Sequence, residues 1–323
     1  MNSTPARALP RCLLITPARN EAQHLEKTIL SMVSQTAPPA KWIIVNDGST
    51  DETANIIDRY AASSSWIERF DMPVHRDRSF AAKANCFNTA CKIAGWTNYD
   101  VIGNIDADIA FEPDFLEFLL RKFAEIPRLG VAGTPFVEAD GYDSTADSFE
   151  GEYHVSGQCQ LFRRKCLEDV GGYVPNKAGG VDWIAVTTAR MKGWETRSFR
   201  EKRFLHNRKL GTAERGPLAS LYSYGEKDYY LGNSLLWEIS RIAYRIARPP
   251  VVLGGMALGA GFFSAAIRRI KKPVSKELIR FHRQEQMKKL KAIVKTLAGL
   301  KRVDKFQVLR SPVAKTERSG SSI

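Results

Sequence analysis

The stretch Val101-Ile-Gly-Asn-Ile-Asp-Ala-Asp-Ile-Ala110 constrains this chain most: an apolar run ends abruptly in two carboxylates, Asp106 and Asp108, spaced two apart. A run of this length bounded by a turn predicts a buried strand of a parallel sheet. Ligands of open α/β sheets bind beyond the carboxyl ends of the strands, so the acid pair falls where a ligand would lie. Residues two apart in an extended segment project to one side. Carboxylates held so close repel each other, and a divalent cation relieves the repulsion. Hard oxygen donors suit Mg²⁺ or Mn²⁺, metals that commonly bridge to phosphates. The competing reading is a solvated turn in which Asp108 or a neighbour caps a helix starting near Pro113.

The surrounding pattern supports a sheet. Strands are expected at Arg11 to Thr16, Lys41 to Asn46 and Trp66 to Phe70. Helices are expected at Ala22 to Gln35, where Leu25, Ile29, Met32 and Val33 recur at helical spacing, and at Glu52 to Ala62, Ser79 to Trp96 and Asp114 to Ile126. This alternation predicts an α/β fold with a mostly parallel sheet flanked by helices. After about Leu129 the pattern is less regular. Val131 to Phe136, Val155 to Phe162 and Thr196 to His206 read as strands, Asp182 to Gly193 and Leu218 to Ala247 as helices. The acidic, glycine-bearing stretch from Glu138 to Gly151 reads as a loop.

Charge is unevenly placed. Residues 268–323 hold 17 of the 48 basic and 4 of the 35 acidic residues, a balance of +13, so the first 267 residues sum to zero. A neutral body with a basic tail seeks a polyanion, an anionic membrane surface or a nucleic acid. The only aromatic residues of that tail are Phe281 and Phe306, too few for the stacking a nucleic-acid binder uses, so no nucleic-acid partner is expected. The cysteines are odd in number, with no Cys-x-x-Cys, which argues for a reducing compartment and against a structural zinc. No signal peptide opens the sequence. Pro249 to Ile267 is 19 residues without charge, flanked by Arg245 and Arg248 before and Arg268, Arg269, Lys271 and Lys272 after. Basic flanks on both sides favour a re-entrant or interfacial hairpin on the cytoplasmic face over a full span; a buried hairpin in a dimer interface is the alternative. Ser275 to Leu300 is expected to be a basic amphipathic helix with Leu278, Met287, Leu290, Ile293, Val294 and Leu297 along one side.

Four motifs in order bring in a resemblance. Thr16-Pro-Ala-Arg-Asn-Glu21, Val45-Asn-Asp-Gly-Ser-Thr-Asp51, Ala82-Lys-Ala-Asn85 and Asp106-Ala-Asp108 resemble those of the family 2 glycosyltransferases, inverting nucleotide-sugar enzymes of GT-A fold. Looser likenesses follow at Ser156-Gly-Gln158, Gly171-Gly-Tyr173, Leu205-His-Asn-Arg208 and Tyr229-Tyr-Leu-Gly232, the last resembling a C-terminal extension of polysaccharide-assembly members. The family's acceptor-side Glu-Asp pair stands here as Val181-Asp182, and the Gln-x-x-Arg-Trp motif of processive synthases is absent, which implies single transfer.

The resemblance implies a nucleotide-sugar donor, a lipid-linked or saccharide acceptor and Mg²⁺ or Mn²⁺. It implies metal ligation by Asp108 with His206, and general-base catalysis by Asp182. It implies donor binding by Pro17, Arg19, Glu21, Asp47, Lys83, Asn85 and Asp106. Each residue also has a plainer reading: Asp47 as an N-cap or Asx-turn, Glu21 as a cap, His206 as a structural histidine, and Asp182 as the cap of the helix from Trp183. Lys83 and Asn85 open a helix whose N-terminus favours anions, as any solvated helix would. The expected organisation is a loose terminus over 1–10, a GT-A domain over 11–215, a membrane-associated segment over 216–272, the basic helix over 273–309 and a polar tail over 310–323. Three other classes are weaker. A nucleotidyltransferase would place glycines in its phosphate loop, and Thr16 to Glu21 has none. A glycosidase leaves the nucleotide motifs unexplained. A non-catalytic sugar-nucleotide-binding or scaffold protein held at the membrane by its tail predicts an expendable Asp182.

Overall fold

A computed structural model describes residues 8–73, 79–145, 151–177, 179–208 and 216–299. These residues form two compact units, one of 8–177 with 181–208 and one of 179–180 with 216–299.

The first unit alternates strand and helix as the sequence predicts: β1 (Cys12–Ala18), α1 (Ala22–Val33), β2 (Lys41–Asn46), α2 (Thr53–Ser63), β3 (Ile67–Asp71), α3 (Phe80–Ile93) and β4 (Val101–Ile105). β5 (Ile109–Ala110), α4 (Phe115–Glu125), β6 (Leu129–Gly133), β7 (Phe136–Glu138), β8 (Cys159–Arg163), α5 (Arg164–Val170), α6 (Val181–Met191), β9 (Glu195–Ser198) and β10 (Phe204–His206) follow. The main sheet has the order β3-β2-β1-β4-β8-β6-β9. β8 runs antiparallel to both neighbours and the other pairings are parallel. Along β1, Cys12 and Leu14 enter one core with α1, α2 and α4, while Leu13 and Ile15 enter a second with α3, α5 and α6. Both faces are covered, which is why these strands read as unbroken apolar runs. Chain order reverses between β1 and β4, so their carboxyl ends flank a crevice.

Two expected strands are broken. The segment 196–206 splits at the charged turn around Lys202, whose ammonium holds Glu112 at 2.9 Å and Asp114 at 2.6 Å. The segment 131–136 ends at Gly133, and Phe136 starts a second, three-stranded sheet of order β5-β10-β7. There His206 lies opposite both Ile109 and Glu138. This small sheet delivers His206 to Asp108, the residue before β5.

The second unit holds α7 (Pro217–Tyr230), α8 (Leu235–Ile246), α9 (Leu253–Ile267) and α10 (Lys276–Ala298). The expected helix 218–247 is interrupted because Gly232 takes a left-handed φ of 91° and Ser234 caps a new helix through the Trp237 N–H. α7 and α9 meet backbone to backbone. A Cβ on Gly225 would lie 2.0 Å from the Leu258 carbonyl oxygen, and one on Gly261 2.0 Å from that of Tyr222. α9 is 15 residues long, about 22 Å against a hydrocarbon core of ~30 Å, and no described helix is long and apolar enough to cross a membrane. α10 departs from its expected apolar side: its buried line is Leu278, His282, Gln286 and Lys289, while Val294 is exposed. His282 and Gln286 bond the Asn233 side chain at 2.9 and 2.8 Å, and Gln286 accepts from the Ser234 N–H at 2.9 Å. The helix is held by polar partners at the α7–α8 break.

Candidate active site

The loops after β1 and β2 are stitched together. Asn20, at a left-handed φ of 55°, accepts from the Thr50 N–H at 2.8 Å. The Glu21 N–H donates to Thr53 Oγ1 at 2.9 Å, and the Ala22 N–H to Asp51 at 3.1 Å. Asp51 also accepts from the Thr53 N–H at 3.0 Å, an Asx-turn at the start of α2. Asp47 is buried, its carboxylate 4.0 Å from the Arg19 guanidinium.

Beyond β4, the Asp106 N–H donates to the Gln158 carbonyl at 2.8 Å, and Thr28 Oγ1 donates to that of Ala107 at 2.8 Å. The acid pair is thus pinned between the sheet and α1. Lys83, on the first turn of α3, forms an ion pair with Asp106. Burial pushes the Asp106 carboxyl up, Lys83 pulls it down and Asp108 pushes it up again, with the net direction upward. Burial works against the Lys83 ammonium, but the Asp106 charge and hydrogen bond prevail and its pKa is raised. Asp108 is buried, with Oδ2 3.7 Å from His206 Nε2 and 3.4 Å from Arg208 Nε. Its Oδ1 is buried with no hydrogen-bond partner. On the far side of the imidazole, Nδ1 lies 3.5 Å from Glu138 Oε1. Arg208 also pairs with Glu21.

These groups surround a cavity of about 450 Å³ lined by Pro17, Arg19, Glu21, Asp47, Lys83, Asp106 and Asp108, together with Ser79, Phe80, Lys177 and Arg208. Three of the residues singled out in the sequence do not line it. His206 stands behind Asp108. Asn85 is exposed, because two residues along a helix is a turn of about 200° and carries it off the Lys83 face. Asp182, in the first turn of α6, lies against the β8 approach, where its Oδ2 accepts from the Gly157 N–H at 3.2 Å. A Cβ at position 157 would come within 2.9 Å of Asp182 Cβ, so glycine is what admits this contact. The charge of Asp182 still acts on Lys83 and, after burial, is the largest influence raising the Tyr173 hydroxyl.

Several groups at the site carry no signal in the sequence. Nothing in the linear pattern marks Arg208, which pairs with Glu21, 187 positions away, and lies 3.4 Å from Asp108. Glu138 opens the stretch that reads as a loop, yet it is the buried last residue of β7. Asn88, one turn past Asn85, donates to the Tyr173 carbonyl at 2.8 Å and accepts from its N–H at 3.0 Å, fixing the turn after α5.

Residues 13–148 match the sequence model of glycosyl transferase family 2. With that match, and with a sheet whose acids cluster at the carboxyl ends of its strands, residues 13–148 carry a glycosyl transferase family 2 domain. It is 29% identical over 170 residues to the poly-beta-1,6-N-acetyl-D-glucosamine synthase of Staphylococcus epidermidis, covering 47% of this chain and 39% of that one. The corresponding synthase of Staphylococcus aureus is 26% identical over the same length. The chain therefore spans about two fifths of the length of these curated relatives. Among solved structures, it resembles a mannosyltransferase, PcManGT of Pyrobaculum calidifontis, in complex with GDP-Man and Mn²⁺, at a TM-score of 0.54 and 19% identity over 91% of this chain and 81% of that one. Residues 1–349 of S. aureus TarS, in complex with UDP-GlcNAc, match at a TM-score of 0.53 and 13% identity over 92% and 89%. These likenesses establish the GT-A fold.

Proposed function

We propose that the chain is an inverting glycosyltransferase that moves one sugar from a nucleotide-sugar donor to a hydroxyl of a lipid-linked or saccharide acceptor. The observation that carries this reading is the cavity at the ends of β1, β2 and β4, where Asp47, Asp106 and Asp108 face Arg19, Lys83 and Arg208. Such a lining suits a ligand with a hydrogen-bonding base at one end and a diphosphate at the other. Asp47 accepts from the base. Glu21 and Asp106 serve the ribose side. Arg19, Lys83 and Arg208 steady the phosphates. Asn85, being exposed, is left without a part.

The family implies a divalent cation, and the residues fit one. Asp108 Oδ1 is buried without a hydrogen-bond partner, and a carboxylate oxygen beside an imidazole nitrogen is a donor pair that suits Mn²⁺ or Mg²⁺. Asp108 and His206 would hold it. Among the described residues no group of three or more His, Cys, Asp or Glu is arranged around one point, so phosphate and water would complete the shell, as is common for these ions. When bound, the ion neutralises charge growing on the departing diphosphate. Glu138 behind His206 orients the ring.

Asp182 takes the proton of the acceptor hydroxyl on the face opposite the leaving group. The Gly157 N–H donates to its Oδ2 at 3.2 Å and fixes the direction of the carboxylate. The location inferred is the cytoplasmic face of a membrane, held peripherally, from the neutral body and the +13 balance of residues 268–323. The test is calorimetric titration of the full chain with a panel of UDP-, GDP- and dTDP-sugars, with and without Mn²⁺ or Mg²⁺. At least one should bind with metal and weaken on chelation. Failure of the whole panel in either metal would sink the reading.

A further inference from the structure

The second unit carries a surface that donor chemistry does not use. α9 packs on α7 through its glycines, and on α8 with Gly255 against Ile246 and Gly259 against Ile242. That register is antiparallel: stepping back along α8 advances along α9. It therefore sets Ile239 near Phe263, and Leu236 near Ile267. Both helices turn large apolar side chains to solvent along this seam. On α9 they are Leu253, Met256, Phe263 and Ile267, spaced by three, seven and four, with Met256 60% and Ile267 82% exposed. On α8 they are Leu236 and Ile239, each more than half exposed. Lone exposed apolar residues are ordinary, but a paired stripe on adjacent helices is a binding surface.

The charge around the stripe says what covers it. From Pro249 to Ile267 there is no charged residue. Arg245 and Arg248 stand at one end of the antiparallel pair; at the other, Arg269, Lys271 and Lys272 follow α9, beside Arg268, which pairs with Glu226 of α7. No acid lies between Arg241 and Lys276. An apolar face bracketed at both ends by cations, on a helix too short to span, matches the boundary of an anionic leaflet, where acyl chains meet phosphate. A second copy of this chain would bring the same cations against each other across a two-fold contact.

We propose that the α8–α9 face inserts in plane into an anionic lipid leaflet, with Met256 and Phe263 among the acyl chains and the flanking arginines at the headgroups. This rests on the peripheral membrane location proposed above and specifies the surface responsible. It differs from simple adsorption of the basic tail, which needs no apolar contact.

All five native cysteines are buried, so a thiol introduced by Met256→Cys in the full chain can be labelled selectively with the environment-sensitive fluorophore NBD. On vesicles of phosphatidylcholine with a minority of phosphatidylglycerol, the label should shift to the blue and brighten severalfold. On pure phosphatidylcholine, binding should fall at least about tenfold. Unlabelled Phe263→Asp should lose at least about tenfold in vesicle partitioning while keeping its Tm. If the chain binds the anionic vesicles with no change at the label, and Phe263→Asp binds as well as the native chain, tail adsorption explains the binding and insertion is overturned. If sedimentation velocity shows a dimer that Phe263→Asp splits, the face is a protein interface and the proposal fails. Nucleotide-sugar binding is measured on the same samples. Its absence alongside a blue shift supports insertion and overturns only the transferase reading.

Discussion

At the carboxyl ends of β1, β2 and β4, Asp47, Asp106 and Asp108 share a cavity with Arg19, Lys83 and Arg208; between α7, α8 and α10, Asp228 and Glu238 meet Arg241 beside Asn233, His282 and Gln286. The residue types are nearly the same and the surroundings are opposite. In the first cluster the acids sit on loops, bordering open space, with cations from α3 and the β10 end arranged around it. In the second, Glu238 is fully buried and its neighbours are other protein groups. Burial, followed by the Asp228 charge, pushes the Glu238 carboxyl up to about 7 against the pull of Arg241. Charges facing a cavity are poised to exchange partners with a ligand, whereas charges sealed among helices fix one helix arrangement.

That contrast is broken most directly at Asp108. Replacing it with Asn removes a hard anionic donor from the cavity and leaves the shape intact. Metal-dependent donor turnover should fall by roughly 10³-fold or more, with circular dichroism and Tm nearly unchanged. Full activity with the same metal dependence would place the ion elsewhere. A smaller effect is expected from Gly157→Ala, whose Cβ would crowd Asp182. Transfer should drop about tenfold, the scale of a mispositioned catalytic group, with donor affinity within about twofold. A variant as active as the native chain would show that the position of Asp182 is unimportant.

The sealed cluster should respond in stability instead. In the folded chain Glu238 keeps its proton to about pH 7, well above the ordinary value of 4.5. The folded state therefore binds more protons than the unfolded one between those values, and stability falls as pH rises through that window. Glu238→Gln should flatten the decline between pH 5 and pH 8 by up to about 3 kcal/mol, read by denaturant unfolding at each pH, without altering donor binding. An unchanged pH slope would mean that Glu238 titrates normally.

The two clusters also differ in how far the sequence revealed them. β1, β2 and β4 are buried on both faces, so their apolar runs and the acids ending them stand out in the linear chain. The partners of those acids do not. Arg208 reaches Glu21 only because β10 pairs with β5, and strands of two and three residues carry too little periodicity to announce that pairing. Glu138 was hidden in the same way, by a short β7 inside an acidic stretch. In the helical unit, the amphipathic pattern of α10 does not reveal its buried line: beside Leu278, the polar His282, Gln286 and Lys289 are buried, because the break at Gly232 to Ser234 exposes backbone and amide groups that need polar partners. Asn85 illustrates the converse: motif position suggested a role, and helix geometry turned the side chain to solvent.

On the proposed reading, donor binding and proton removal fall to separate acids, those of the cavity and Asp182. The measurement that tests it is a paired one on Asp182→Asn, which keeps the side chain's size and its acceptor oxygen for the Gly157 N–H but cannot serve as a base at neutral pH. Nucleotide-sugar affinity is read by calorimetry, and transfer rate with an acceptor under the same metal concentration. Affinity should be unchanged and the transfer rate lower by roughly 10²–10⁴-fold. Equal losses in both would make Asp182 a structural group, and no loss in either would contradict its assignment as the base.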